Sequence, residues 1–390
     1  MCPTCGTAAR LKDYRRRRID TVFGRVTVRV PRTTGRCAHE YADRPLPPGR
    51  STPEYDLLRA KLASEMSYRK ARAFLGMTLP VSTGLAPGTV RAHTFRAGLR
   101  LAQRHAVAKC EARSEALTLG LDTAFIRSCS SENGRHLAVV VGEVTTAGGD
   151  SRVFAAVDHG KNSEAKTIRD NVQAKGLAPC TAVTVFTDGE DRLRLLARKA
   201  LRRPIDPVLD WFHIAMRIQH IRQLSRGLAT RLPSHAAATR VVQNELDIMR
   251  WRLWNGRADA VDVCLGRVSD VLGAYRRYPP NRRTRMAISN LFTMLHDLRR
   301  YVRGNAHLII DYAASRRAGC PISTARVESA VNRLVNRRMN KSQHMRWSPL
   351  GAHLLLLVRA AVLNGEFDER RAGTAVPAGS EASSPLARAA

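Results

Sequence analysis

The chain has 390 residues, and its 44% hydrophobic content is ordinary for a protein able to bury a sizeable core. Lys and Arg number 65 against 33 Asp and Glu, a formal net charge of +32. So large a charge repels itself in a free monomer and argues for a polyanionic partner. There is no run of 18 uncharged apolar residues, which excludes a membrane-spanning helix. The basic opening does not match a signal peptide, and eight scattered cysteines in a chain of this size do not read as a disulfide framework.

Residues 1–45 read as a short-stranded basic module. In the stretch Ile19–Val30, Val26, Val28 and Val30 fall on one side and Thr27 and Arg29 on the other, which is strand periodicity around a turn at Gly24. Pro45, Pro47, Pro48 and Gly49 mark a linker. The period turns helical at Ser51, where Thr52-Pro53-Glu54 reads as an N-cap, a first-turn proline and a first-turn acid. A second helix is predicted over 67–75, ending at Gly76, and a third from about Gly88 to Ala108. Three helices in residues 51–112, the last carrying Arg91, Arg96 and Arg100, read as a helix-turn-helix domain.

Strands are predicted over 116–126, 136–145 and 153–157. Alternation follows: a helix over 163–174, a strand over 181–187, a helix over 190–201 and a strand over 207–209. That order describes an α/β core with a mixed sheet and helices on both faces. Its first part spans 113–213 and its C-terminal part 319–367. Between them, 214–318 read as an all-helical insertion. A helix over 324–339 and an apolar helix over 352–367 close the core, and the Ala-, Gly-, Ser- and Pro-rich tail 368–390 is expected to be disordered.

Asp122 interrupts the apolar strand Leu117–Ile126, Asp188 ends the strand Val183–Thr187, and Glu328 borders the apolar stripe Val327, Ala330, Val331 and Leu334 of the late helix. A carboxylate within a buried strand is costly unless paired. Taken singly, each aspartate also fits a structural role, as a hydrogen-bonded or turn-forming residue. Taken together, three converging carboxylates would repel by about 4 kcal/mol per pair at ~4 Å and an effective dielectric of 20. Such a cluster is tolerated where divalent cations neutralise it. Carboxylate oxygens suit Mg²⁺ or Mn²⁺, and two such ions can clamp both oxygens of an in-line phosphoryl displacement.

This order of acids and elements is similar to the RNase H-like core of DDE transposases. More narrowly, the strings Arg326–Asn332, Arg337-Arg338-Met339, Met345–Ser348 and Gly351-Ala352-His353 resemble the ISKra-type bacterial insertion-sequence transposases, as do Phe186–Gly189 and Asp210–His213. The resemblance covers nearly the whole chain to Phe367. It implies that Asp122, Asp188 and Glu328 are the catalytic, metal-holding acids, with two Mg²⁺ (or Mn²⁺) ions as cofactors. It further implies strand cleavage and transesterification at the ends of a mobile element, a double-stranded DNA partner (terminal repeats and target), a homodimer or larger complex on paired ends, and a cytoplasmic, nucleoid-associated location. Asp210 and His213 resemble the signature of transposases that carry a helical insertion, and they equally fit a helix-capping Asp with its His packed on it.

Cys2-Pro3-Thr4-Cys5 followed by Cys37 and His39 resembles a small zinc module. Asn332, four residues after Glu328, would share its helical face and orient a phosphate or water. Arg333, Arg337, Arg338 and Lys341 would contact the DNA backbone, and Trp347 would stack on an unpaired base or pack in the core. No P-loop is present, so nucleotide hydrolysis is not expected. Two readings compete with the transposase: a catalytically silent DNA-binding repressor derived from one, and an RNase H-like nuclease or junction resolvase.

Overall fold

The computed structural model describes residues 10–34, 49–82, 84–105, 113–130, 134–160, 162–231, 236–277, 281–323, 325–340 and 345–367. The expected zinc ligands Cys2, Cys5, Cys37 and His39, the expected DNA contact Lys341 and the tail from Asp368 lie outside the described residues. Two compact units emerge, Met1–Gln103 with Leu354–Ala390, and Arg104–His353. No helix among the described residues is long and apolar enough to cross a membrane.

The first unit opens with an antiparallel hairpin, β1 (Arg10–Thr21) and β2 (Gly24–Thr34). The chain reverses at Val22-Phe23, and Gly24 takes φ +101° where a Cβ would press to 2.8 Å from the Pro80 carbonyl oxygen. Three helices follow, α1 (Pro53–Glu65), α2 (Tyr68–Thr78) and α3 (Pro87–His105). Pro53 opens α1 as expected, and the Ser67 side chain caps α2 by accepting from the Lys70 N–H. The helix expected to stop at Gly76 runs on to Thr78, because its effective stop is Pro80, which holds Leu79 extended. The third helix, expected from about Gly88, starts one residue earlier, with Pro87 as the first residue of α3.

In the second unit the strands are β3 (Ala116–Arg127), β4 (His136–Thr146), β5 (Ser151–Val157), β6 (Ala182–Thr187) and β7 (Asp206–Leu209). The sheet order is β5-β4-β3-β6-β7, with β3, β4 and β5 an antiparallel meander and β6 and β7 parallel to β3. The first strand in sequence is thus the central one. Helices α4 (Ser163–Gln173) and α5 (Asp191–Leu201) cover one face, where Leu117, Leu119 and Leu121 of β3 pack with Ile168, Val172, Leu193 and Ala197. Residues 118, 120 and 122 therefore point to the opposite face. There α11 (Ala325–Val331) lies against β3 and β4, and Thr118, Gly120 and Val327 line a shared cavity of about 760 Å³.

Between β7 and α11 stands the expected helical block: α6 (Trp211–Arg231), α7 (Ala236–Trp254), α8 (Val261–Arg277), α9 (Arg282–Gly304) and the short α10 (Tyr312–Arg317). Each of α6 to α9 packs on two others in a closed ring, the pattern of a four-helix bundle. Its core runs without a break from Ile288 and Leu295 through Ile214 to Phe186 and Leu209 of the sheet.

The late helix departs from expectation at one point. It is α-helical only to Val331, and residues Asn332–Asn340 are π-helical. Such segments are rare and recur at functional sites. The last helix, α12, spans Pro349–Leu363. From Leu354 on this helix belongs to the first unit, within which Val358 and Ala361 pack with Ala60 and Leu101.

Gly142 on β4 sits opposite Phe154 of β5, where an added Cβ would fall 2.2 Å from the buried ring. Gly142→Ala should therefore destabilise the second unit by about 1–3 kcal/mol, read as a lower denaturant midpoint with an unchanged m-value.

Candidate active site

The parallel register pairs Gly120 with Phe186 and Thr187 with Leu209. Carried one or two residues further, it sets Asp122 of β3 level with Asp188, just past the end of β6, and Asp188 level with Asp210, just past the end of β7. The Asp210 N–H continues that ladder by donating to the Thr187 carbonyl at 2.9 Å. The three carboxylates feel one another: Asp188 and Asp210 both act on Asp122. Two acids 66 positions apart in sequence, Asp122 and Asp188, are thus brought together, with a third, Asp210, that the sequence marked as an insertion signature or a helix cap.

Each acid is oriented by hydrogen bonds. Asp122 Oδ1 accepts the Thr123 N–H at 2.7 Å, and the Thr123 hydroxyl donates to Glu190 at 3.2 Å. Asp188 Oδ1 accepts the Glu190 N–H at 2.9 Å, closing a short turn. The phenol of Tyr301, on α9, donates to the Asp188 carbonyl at 2.8 Å. The Arg217 guanidinium lies 4.1 Å from the Tyr301 ring centroid. Gly189 takes φ +96°, and a Cβ there would come within 2.8 Å of the Asn305 side chain. The helical insertion therefore grips the Asp188–Gly189 turn. Tyr301, Asn305 and Arg217 carry no local sequence signal for this task, since Tyr301 and Asn305 lie more than 100 residues beyond the turn they hold.

Asp210 is fully buried and plays two parts: Oδ1 caps α6 by accepting the Phe212 N–H at 3.0 Å, and Oδ2 accepts from His213 Nδ1 at 2.8 Å. Burial opposes a charge on His213, but the Asp210 hydrogen bond and the fields of Asp210, Asp122 and Asp188 outweigh it and raise the pKa. Burial likewise raises the pKa of Asp122; the Thr123 N–H and His213 work against this, while Asp188 and Asp210 add to it. The result is a cluster of carboxylates beside one imidazole that holds its proton more readily than an ordinary histidine.

Glu328 lies on α11, which packs on β3 and β4, but its side chain is exposed and pairs with no other described residue. Val327, Ala330, Val331 and Leu334 form the buried stripe as expected. Asn332 is half-buried at the start of the π segment and accepts from Asn336 at 2.8 Å. Among the described residues, no group of three or more His, Cys, Asp or Glu side chains stands arranged to hold a metal ion.

Burial corrects one expected DNA contact, Arg338, and puts Trp347 on the core-packing side of its two expected roles. Arg338 has no exposed surface, and its guanidinium lies 5.4 Å from the ring centroid of Trp347, itself only 4% exposed. Trp347 is pinned by backbone hydrogen bonds to Arg127 and Cys129, so the pair serves packing. Arg333 and Arg337 are exposed. On α3, Arg91, Arg96 and Arg100 are exposed as well; Arg91 lies over Phe95, and Arg96 and Arg100 reach His93 and Asp56. His353 is buried against His159 with ring centroids 4.3 Å apart. Burial first, then the positive fields of His159 and Lys166, push its pKa down to about 3 and keep it neutral. Comparison of the chain with protein-family models and with curated proteins gives no match.

A raised histidine pKa has a defined sign. The Asp210–His213 pairing stabilises the fold fully below the ordinary histidine value of 6.5, and that contribution fades as pH climbs through the raised folded value. Thermal melts from about pH 6 to pH 9 should show the wild type losing stability relative to His213→Ala, by about 2–4 °C for each kcal/mol lost in a unit of this size.

Proposed function

We propose that the chain is a DNA transposase of the insertion-sequence kind, with an RNase H-like core that hydrolyses a phosphodiester at the element end and then joins the freed strand to target DNA. The observation that carries this reading is the alignment of Asp122 and Asp188 on the central strand and its parallel neighbour. The sheet order β5-β4-β3-β6-β7 supports it, as does a late helix bearing Glu328 on the same face as Asp122. In open α/β sheets the crevice beyond the carboxyl ends of parallel strands is where ligands bind. A cleft of clustered acids in a chain of net charge +32 calls for a specific local reason, and a divalent cation supplies one.

The donor chemistry fits Mg²⁺ or Mn²⁺. Such an ion is commonly held by one or two carboxylates with water completing its shell, and Asp122 and Asp188 are two neighbouring carboxylates that accept no side-chain cation among the described residues. In this reading they hold the metal and Glu328 is the third acid. When bound, the ions supply Lewis acidity and a water acidic enough to attack near neutral pH.

The chain's own groups do the positioning. Thr123 and Glu190 fix the carboxylates, while Tyr301 and Asn305 fix the turn that carries Asp188. His213, holding its proton through Asp210, presents a cation at the rim for an incoming phosphate. Hydrolysis adds a water oxygen to phosphorus and releases a 3′-hydroxyl. That hydroxyl then displaces a strand of target DNA at phosphorus, one ester bond made for one broken, so no external energy source is needed. The partners are the element ends and target duplex, on which two or more copies assemble.

Asp122→Ala, Asp188→Ala and Glu328→Ala should each lower divalent-dependent nicking of duplex DNA carrying the sequence that flanks the gene, by about 10²–10³-fold, while leaving binding intact. Undiminished cutting by the Asp122 or Asp188 variant overturns the site, and undiminished cutting by the Glu328 variant removes only the third acid. Binding without cutting by the wild type in any divalent ion would favour the silent repressor, and a preference for branched DNA would favour the resolvase.

A second readout avoids activity altogether. The raised Asp122 pKa means that the folded state favours the protonated acid, so stability falls as pH rises past 3.8 towards the folded value. Asp122→Asn should melt higher than the wild type at neutral pH without metal. The same variant should lose the stabilisation that Mg²⁺ or Mn²⁺ gives the wild type.

A further inference from the structure

The hairpin at the start of the first unit has two unlike faces. Ile19, Val26, Val28 and Val30 share one with Arg15 and Arg17, and Ile19 and Val30 are buried. The other carries Arg16 directly across from Arg29, Arg18 across from Thr27, and Arg25 across from Asp20. Like charges placed directly opposite in an antiparallel pair destabilise it. Arg25 is matched by Asp20 at 2.8 Å, and Arg32 by Asp13. Arg16 and Arg18 are exposed and pair with no acid among the described residues, while Arg29 is exposed and rests over the Tyr14 ring at 5.1 Å. The run Arg15–Arg18, with Arg25, Arg32 and Arg50, lines a groove of about 790 Å³ that draws on both faces of the hairpin and whose one acidic lining residue is Asp20.

We infer that this arginine face is a phosphate grip that holds duplex DNA without reading its sequence; the choice of partner rests on the functional reading above. The uncompensated charges are anchored on a ribbon tied to the rest of its unit by backbone hydrogen bonds between Asp20 and both Arg50 and Thr52. A polyanion relieves the cross-strand repulsion that the free hairpin carries. A two-stranded ribbon fits the major groove of B-form DNA, whereas the deep, narrow major groove of A-form RNA does not admit side chains. Alternate residues on a strand lie about 6.8 Å apart, which spreads Arg16 and Arg18 along a backbone rather than on one base.

The test compares the full-length wild type with Arg16→Ala/Arg18→Ala/Arg29→Ala in titrations of a random-sequence duplex and of the gene-flanking sequence across a salt series. Losing three phosphate contacts should lower the slope of log affinity against log salt by about 2.7, at about 0.9 per phosphate. The affinity loss should be the same factor, tenfold or more, on both duplexes. Arg16→Lys/Arg18→Lys/Arg29→Lys should keep the slope, and melting temperatures should show that all variants fold. An unchanged slope, a loss confined to one sequence, or tighter binding to an RNA duplex would each overturn the inference. Asp122→Ala separates the two proposals: it should keep the full slope while losing cutting. A wild type that never cuts but whose slope depends on these arginines would sink the catalytic reading and leave the grip standing.

Discussion

The alignment of like charges across β3, β6 and the start of α6 is the constraint on which the second unit turns. Parallel pairing fixes register, and register fixes which side chains stand abreast at the ends of neighbouring strands. Here it sets two aspartates abreast and places a third, fully buried, next to them. Much of the surrounding structure answers the resulting repulsion: the N–H groups of Thr123, Glu190 and Phe212 each point at one carboxylate, and His213 brings in positive charge. A cluster that stores unfavourable electrostatics in this way must be stabilised elsewhere, and the uninterrupted apolar packing of Leu117, Leu119 and Leu121 on the opposite face does so.

The helical insertion is more than an appendage to the sheet. Its core is continuous with Phe186 and Leu209, and α9 sends Tyr301 and Asn305 to the turn that carries Asp188. From α6 come His213, which counters the acids, and Arg217, which lies over Tyr301. Order among the acids is therefore coupled to order in the bundle, because Tyr301 holds the backbone of the turn that carries Asp188 and Asn305 closes on Gly189. Repacking within α9 would be felt at Asp188 through one hydrogen bond and one close approach.

Charge of opposite sign is sorted by location. The acids that cluster are in the second unit, whereas the densest run of arginines, Arg15–Arg18, is on the hairpin of the first. In the proposed function this division matches a division of labour, with cations to hold a polyanion and anions to hold the metal that acts on it. Burial refines the picture, since Arg338 is a cation held inside the fold, over Trp347 and bonded to Met345, and not on the surface.

The amino-acid pattern by itself determined every strand of the sheet to within two residues, the helix-sheet alternation, the all-helical block and the buried stripe of α11. Those features rest on local periodicity and on the apolar content of short windows, which a linear reading captures. It also marked Asp122 and Asp188, because a carboxylate in an apolar strand is conspicuous. What only the tertiary structure decided was adjacency: that β3 is central, that Asp210 joins the two aspartates, that Tyr301 and Asn305 reach back across more than 100 residues, and that Trp347 is core. Local pattern was overridden at Gly76, where helix propensity carried past the glycine to Pro80, and at Asn332, where the α-helix gives way to a π segment. Register between distant strands and the depth of a side chain are sums over many remote contacts, so no window of sequence contains them.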